Sequence, residues 1–183
     1  RTKLVCVENT SNRGGGKVWP LEKLAEVKKN AHENGLKTHL DGARIWNAAA
    51  AMNIPESEIA KHFDSLSVCF SKGLGAPVGS ALAGSNDFIM EARRFRKQFG
   101  GGMRQAGIIA AGALYALENN RERLTVDHDN AKMLAKGLSE INGIDINPDD
   151  VETNIINFRV KGMNVHALIE KLNKQGTHVL AKD

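Results

Sequence analysis

Apolar positions in this chain alternate between two rhythms, and the alternation itself predicts the architecture. Residues 4–7 are a short apolar run, a strand that hands over to a loop at Glu8-Asn9-Thr10. Pro20 opens a helix whose Leu21, Leu24, Val27 and Ala31 share one face, with Gly35 beyond its end as a left-handed cap. A second strand covers 38–40 and ends at Asp41. Helices are expected over 44–52 and 55–62. Strands follow at 66–70 and 81–83, the first of them ending at Ser71-Lys72. Helices then dominate, at 86–98, 106–118 and 122–139. The turn-rich stretch 142–150 marks a boundary, giving one unit over 1–142 and the start of another over 143–183. The second unit reads as strand 155–160, helix 165–175 capped by Gly176, and strand 177–181.

Short strands separated by helices favour an α/β fold, a doubly wound parallel sheet covered by helices, followed by an incomplete α+β tail. The chain has 183 residues, 42% hydrophobic and 25% charged, an ordinary globular composition. No apolar run reaches the ~18 residues of a membrane span. A net charge of +4, with Lys and Arg spread along the chain, is too weak a bias for a nucleic-acid surface. Cys6 and Cys69 both sit in apolar runs. They read as buried free thiols of a reducing, cytoplasmic environment rather than as a disulfide. The chain begins at Arg1 and ends within what reads as a strand, so a piece of a longer protein is expected.

Ligands of open α/β sheets bind beyond the carboxyl ends of the strands. Three such ends carry reactive groups: Glu8-Asn9-Thr10, Asp41-Gly42-Ala43-Arg44 and Ser71-Lys72-Gly73. Parallel strands deliver them to one edge. Lys72 follows an apolar strand and precedes a glycine-rich loop. At a buried strand end its amine would be pushed toward the neutral form that makes a Schiff base; otherwise it is a surface loop lysine. Asp41 is either the carboxylate partner of a protonated pyridine nitrogen, as pyridoxal phosphate requires, or a helix N-cap. Arg44 either forks onto a substrate carboxylate or pairs with Asp41. The loop Gly14-Gly15-Gly16-Lys17 lacks the spacing of a phosphate-binding P-loop, and Gly73-Leu74-Gly75 lacks the dinucleotide fingerprint. The six histidines show no metal-ligand spacing. Asn9-Thr10-Ser11 matches a glycosylation sequon without a secretory context. Trp19 and Trp46 are expected in the core or an interface, and the alanines at 48–51 to allow close helix packing.

Four segments in order, ENTSNRGGGKVWP, HLDGARIWNAAAA, SVCFSKGLGAPVGSALAG and FGGGMRQAGIIAAGALYAL, resemble the low-specificity L-threonine aldolases. The resemblance implies part of the large domain of a fold type I pyridoxal-phosphate enzyme. It implies aldol cleavage of L-threonine or L-allo-threonine to glycine and acetaldehyde, a step of threonine catabolism and glycine biosynthesis, by a homotetramer. Lys72 would carry the cofactor as a Schiff base, Asp41 would pair with the pyridine nitrogen, and Arg44 would bind cofactor and substrate carboxylate. Arg104, with Lys97 before it, would reach the cofactor and substrate region of a neighbouring subunit. Ser11 stands where many members have histidine. The family's phosphate-cradling loop and ring-stacking histidine are expected before residue 1, and a carboxylate-binding arginine after Asp183, so this piece alone is expected to be inactive. The rival readings are an aminotransferase or β-eliminating lyase of the same fold, and a non-catalytic homologue acting as a subunit partner.

Overall fold

The structure is a computed structural model that describes residues 1–181. Strands β1 (Leu4–Glu8), β2 (Lys37–Gly42), β3 (Ser65–Cys69) and β4 (Ser80–Gly84) form one sheet in the order β1-β2-β3-β4. The first three are parallel and β4 is antiparallel to β3. Helices α1 (Leu21–Glu33), α2 (Ile45–Met52) and α3 (Glu56–Ala60) link the parallel strands.

Each parallel strand sends alternate side chains to opposite faces. Val7, Leu40, Leu66 and Val68 face the helices and pack with Leu24, Ile45, Ala48 and Ile59. Leu24, Leu40 and Ile59 are fully buried, each worth ~1.5–3 kcal/mol in apolar surface removed from water. The alanines of α2 let it sit close to the sheet, and Gly35 takes the left-handed conformation after α1 (φ +67°). The opposite face carries Leu4, Cys6, His39, Asp41, Ser67, Cys69 and Leu82. Leu4, Cys6, Asp41 and Leu82 are exposed there. The sheet is therefore helix-covered on one side and open on the other, which the strand–helix rhythm alone does not reveal.

Three helices follow: α4 (Asn86–Gln98), α5 (Gly107–Asn119) and α6 (Leu124–Ser139). α6 anchors to α2 through the buried pair Asn47 Nδ2 and His128 Nε2, 3.1 Å apart. Burial pushes the His128 pKa down, and nearby Lys132 adds to the shift. Both effects favour the neutral ring beside Asn47. By contrast, α5 buries only Ala116, and Ile108 is 82% exposed. No helix among the described residues is long and apolar enough to cross a membrane.

Beyond α6 the chain departs from expectation. A strand is expected over 155–160, but only Arg159–Val160 (β6) pairs, antiparallel to Ile144–Asp145 (β5). The preceding residues are used elsewhere, as a strap against the glycine loop. Thr153 Oγ1 donates to Gly16 O at 2.7 Å, Glu152 Oε2 accepts from Val18 N at 2.7 Å, and Lys17 pairs with Asp150 at 2.5 Å. Gly16 has φ +73°, and a Cβ there would meet Thr153 Oγ1 at 2.4 Å. Gly16 is glycine because its backbone is left-handed and the Thr153 and Ile155 side chains pack against it. After helix α7 (Val165–Lys174), the expected strand 177–181 forms no ladder. A strand needs a neighbouring backbone, and Val179 and Leu180 instead line an open cavity of about 880 Å³ with Phe158 and Leu168. Lys182 and Asp183 lie outside the described residues.

Candidate active site

β1, β2 and β3 are adjacent and parallel, so Asn9, Asp41 and the Ser71-Lys72 turn come to one edge of the sheet. The ladder runs to that edge: Asn9 N donates to Asp41 O at 3.0 Å. Asn9 is fully buried, its Oδ1 accepting from Trp19 N at 3.3 Å, which closes the glycosylation reading. Its Nδ2 and the Thr10 hydroxyl are buried with no hydrogen-bond partner among the described residues.

Asp41 alternates with the buried Leu40 and Gly42, which puts its carboxylate on the open face. Its Oδ1 accepts from Ala43 N at 3.1 Å, a local turn; the N-cap position of α2 is Arg44 and its side chain makes no cap bond. The N-cap reading of Asp41 fails. Arg44 is half-buried and its guanidinium makes no hydrogen bond or ion pair among the described residues. Pairing with Asp41 fails as well, and the fork stays available for an external carboxylate.

Lys72 is exposed rather than buried, a correction to the sequence reading. The strand ends at Cys69, and the residues after it lie in an open turn where water reaches the amine. The turn is nonetheless fixed. Gly75 N donates to Lys72 O at 2.8 Å, and a Cβ on Gly73 would strike Leu124 Cδ2 of α6 at 2.8 Å. Lys72 Nζ donates to Cys69 Sγ at 3.5 Å. Cys69 belongs to the same face of the sheet as Asp41, whose neighbour on β3 is Ser67. A strand spacing of ~4.8 Å and a rise of ~3.3 Å per residue put Cys69 and Asp41 backbones ~8 Å apart. Lys72 and Asp41 are therefore both exposed at the carboxyl ends of neighbouring strands, on one edge of the sheet.

His39, on that same face, holds Ser65 Oγ at 2.8 Å through Nδ1. Burial lowers its pKa, with Asp41 pulling the other way. Trp46 anchors the end of β3, donating from Nε1 to Cys69 O at 2.9 Å and stacking on Phe70 at 6.2 Å. It is half-buried, whereas Trp19 is exposed.

The two cysteines are free, but neither is buried: Cys6 is exposed and Cys69 half-buried, because both fall on the open face. Lys97 and Arg104 lie apart from the cluster, on the last turn of α4 and the loop after it. Both are exposed, with no bond to Asp41, Arg44 or Lys72 within the chain. Lys97 Nζ folds against Gly102. Sequence reasoning reads Cys69 as a buried thiol, away from the site, and does not single out Thr153. Cys69 was legible as the last outward residue before Lys72, while Thr153 carried no local signal.

The chain is 50% identical over 155 residues to a probable low-specificity L-threonine aldolase 2 of Arabidopsis thaliana, covering 85% of this chain and 44% of the relative. It is 47% identical over 181 residues to the low specificity L-threonine aldolase of Escherichia coli K12, covering 99% and 53%. Among solved structures, a putative L-allo-threonine aldolase from Listeria monocytogenes superposes with a TM-score of 0.85 at 27% identity, covering 96% of this chain and 50% of that one. The chain spans about half the length of the curated relatives it matches. The profile of one family, described as Beta-eliminating lyase, matches residues 1–161, and the chain belongs to that family.

Proposed function

We propose that this chain is part of an enzyme that cleaves L-threonine or L-allo-threonine to glycine and acetaldehyde with pyridoxal 5'-phosphate. The observation that supports this reading best is that Asp41 and Lys72 follow neighbouring parallel strands to one edge of the sheet, where both are exposed. A primary amine, an exposed carboxylate and an unpaired guanidinium suit the aldehyde, the ring nitrogen and a carboxylate respectively. When bound, the cofactor supplies an electron sink for the pair released as the Cα–Cβ bond breaks. Lys72 binds the cofactor aldehyde through its amine. Asp41 holds the proton on the ring nitrogen, and Arg44 orients the substrate by its carboxylate.

Residues 1–142 serve as the cofactor-binding unit and 143–183 begin a smaller one. The protein works as a homotetramer in the cytoplasm, with Lys97 and Arg104 turned toward a neighbouring subunit. Support comes from the apolar surface around them: Phe99 is 85% exposed, and Met103, Ile108 and Tyr115 are exposed as well. The test is acetaldehyde release from L-threonine by the whole protein without an added keto acid. Pyruvate and ammonia from L-serine, or a strict need for a keto acid, would assign it to the other chemistries of this fold.

A further inference from the structure

We propose that Cys69 and Lys72 form an oxidation-sensitive pair, in which peroxide joins the thiol sulfur to the lysine amine and so closes the cofactor's attachment point. The observation is the contact itself: Lys72 Nζ lies 3.5 Å from Cys69 Sγ, on the open face of the sheet. Ser71 and Phe70 separate the two residues, and the Lys72–Gly75 turn holds the lysine backbone where its side chain folds back over β3.

The chemistry balances with hydrogen peroxide as the oxidant. The sulfur attacks one peroxide oxygen, the O–O bond breaks, and the thiol becomes a sulfenic acid with release of water. The sulfur is oxidised by two electrons and the peroxide reduced. The neutral amine then attacks the sulfenic sulfur. A nitrogen–sulfur bond forms, the sulfur–oxygen bond breaks, and the hydroxide leaves with an amine proton as a second water. A dithiol reverses the product, returning thiol and amine and becoming a disulfide itself.

Among the described residues, no second cysteine stands within disulfide reach of Cys69. Cys6 lies on β1, two strands from β3, so the backbones are at least ~10 Å apart by strand spacing, beyond the ~7 Å that a disulfide spans. The amine, already in contact with the sulfur, is placed to trap it once oxidised. The bridge rests on the two side chains alone; only its consequence, loss of cofactor attachment, rests on the role proposed for Lys72.

The test uses the whole protein stripped of cofactor, treated with hydrogen peroxide, digested without reductant and examined by mass spectrometry. The expected product is a peptide containing both residues, lighter by two hydrogen atoms and restored by dithiothreitol. It should vanish in Cys69→Ser and persist in Cys6→Ser. Recovery of Cys69 as an unlinked thiol or oxide, or a two-hydrogen loss that survives Cys69→Ser, overturns the proposal. Cofactor added before peroxide should suppress the bridge severalfold. A bridge formed undiminished under cofactor leaves the pair standing and refutes instead the cofactor role of Lys72.

Discussion

The two faces of the sheet are written in the same strands, one residue apart. Leu40 is fully buried beneath the helices, and Asp41, its neighbour, is exposed on the other side. The covered face is aliphatic and packed; the open one carries Cys6, His39, Asp41, Ser67 and Cys69, groups that titrate, ligate or react. Stability and chemistry are thus separated by strand pleating rather than by distance along the chain. Mutations on the first face should act on folding, and those on the second on the reaction.

The largest effect should come from Lys72→Ala in the whole protein. Turnover should fall on the order of 1,000-fold or more, with loss of the visible absorbance of bound cofactor, because the amine proposed as its covalent anchor is gone. Stability without cofactor should stay within ~0.5 kcal/mol, since the side chain is exposed and fills no core volume. Denaturant titration of the apo form alongside kinetics reads both.

The adjacent pair Leu40 and Asp41 gives the sharpest contrast. Leu40→Ala should cost ~2–5 kcal/mol in an unfolding titration, by lost transfer energy and a residual cavity. Asp41→Asn should leave that titration unmoved while lowering kcat on the order of 100-fold, since an amide cannot hold the ring-nitrogen proton as a carboxylate does. Equal damage to stability from both would break the two-face account.

Gly16→Ala should cost ~1–3 kcal/mol, because its φ of +73° and the Thr153 hydroxyl at 2.4 Å both exclude a methyl. Thermal unfolding measures it. Gly107→Ala, with no neighbour within 4 Å of the added carbon, serves as the control and should be neutral or better.

The smallest effect concerns acid, on Asp64 at the far end of the sheet. Burial works against its charge, but hydrogen bonds from His32, Thr38 N and Thr38 Oγ1 outweigh it and hold the carboxyl well below the usual range. A depressed folded pKa gives stability that is complete above the ordinary carboxylate value near 3.8 and lost as pH falls below it. Asp64→Asn should flatten the unfolding curve below about pH 4 and change little at pH 7 in slope.

Much of this was readable along the chain. The periodicity located β1 to β4 and α1 to α6 to within a few residues, and apolar runs ending at Asp41 and Lys72 placed both on one edge. What periodicity reports is which residues share a face, not whether that face has a cover. Cys6 and Cys69 looked buried for that reason, and Lys72 was taken to be shielded when water reaches it. The strap was illegible because its contact joins Gly16 to Thr153 across 137 positions. Nothing local tells a glycine-rich loop packed under distant side chains from one that binds an anion. The final strand failed for a related reason: Thr177 to Ala181 has strand composition, and pairing requires a neighbour that composition does not supply.

The most direct test of the account is to find which side chain carries the cofactor. The whole protein is loaded with pyridoxal phosphate, reduced with borohydride to fix the covalent link, digested, and mapped by mass spectrometry. The account predicts the phosphopyridoxyl group on Lys72, with the label absent from Lys72→Ala. A label on another lysine of the protein, or no covalent label at all in a protein that cleaves threonine, would contradict it.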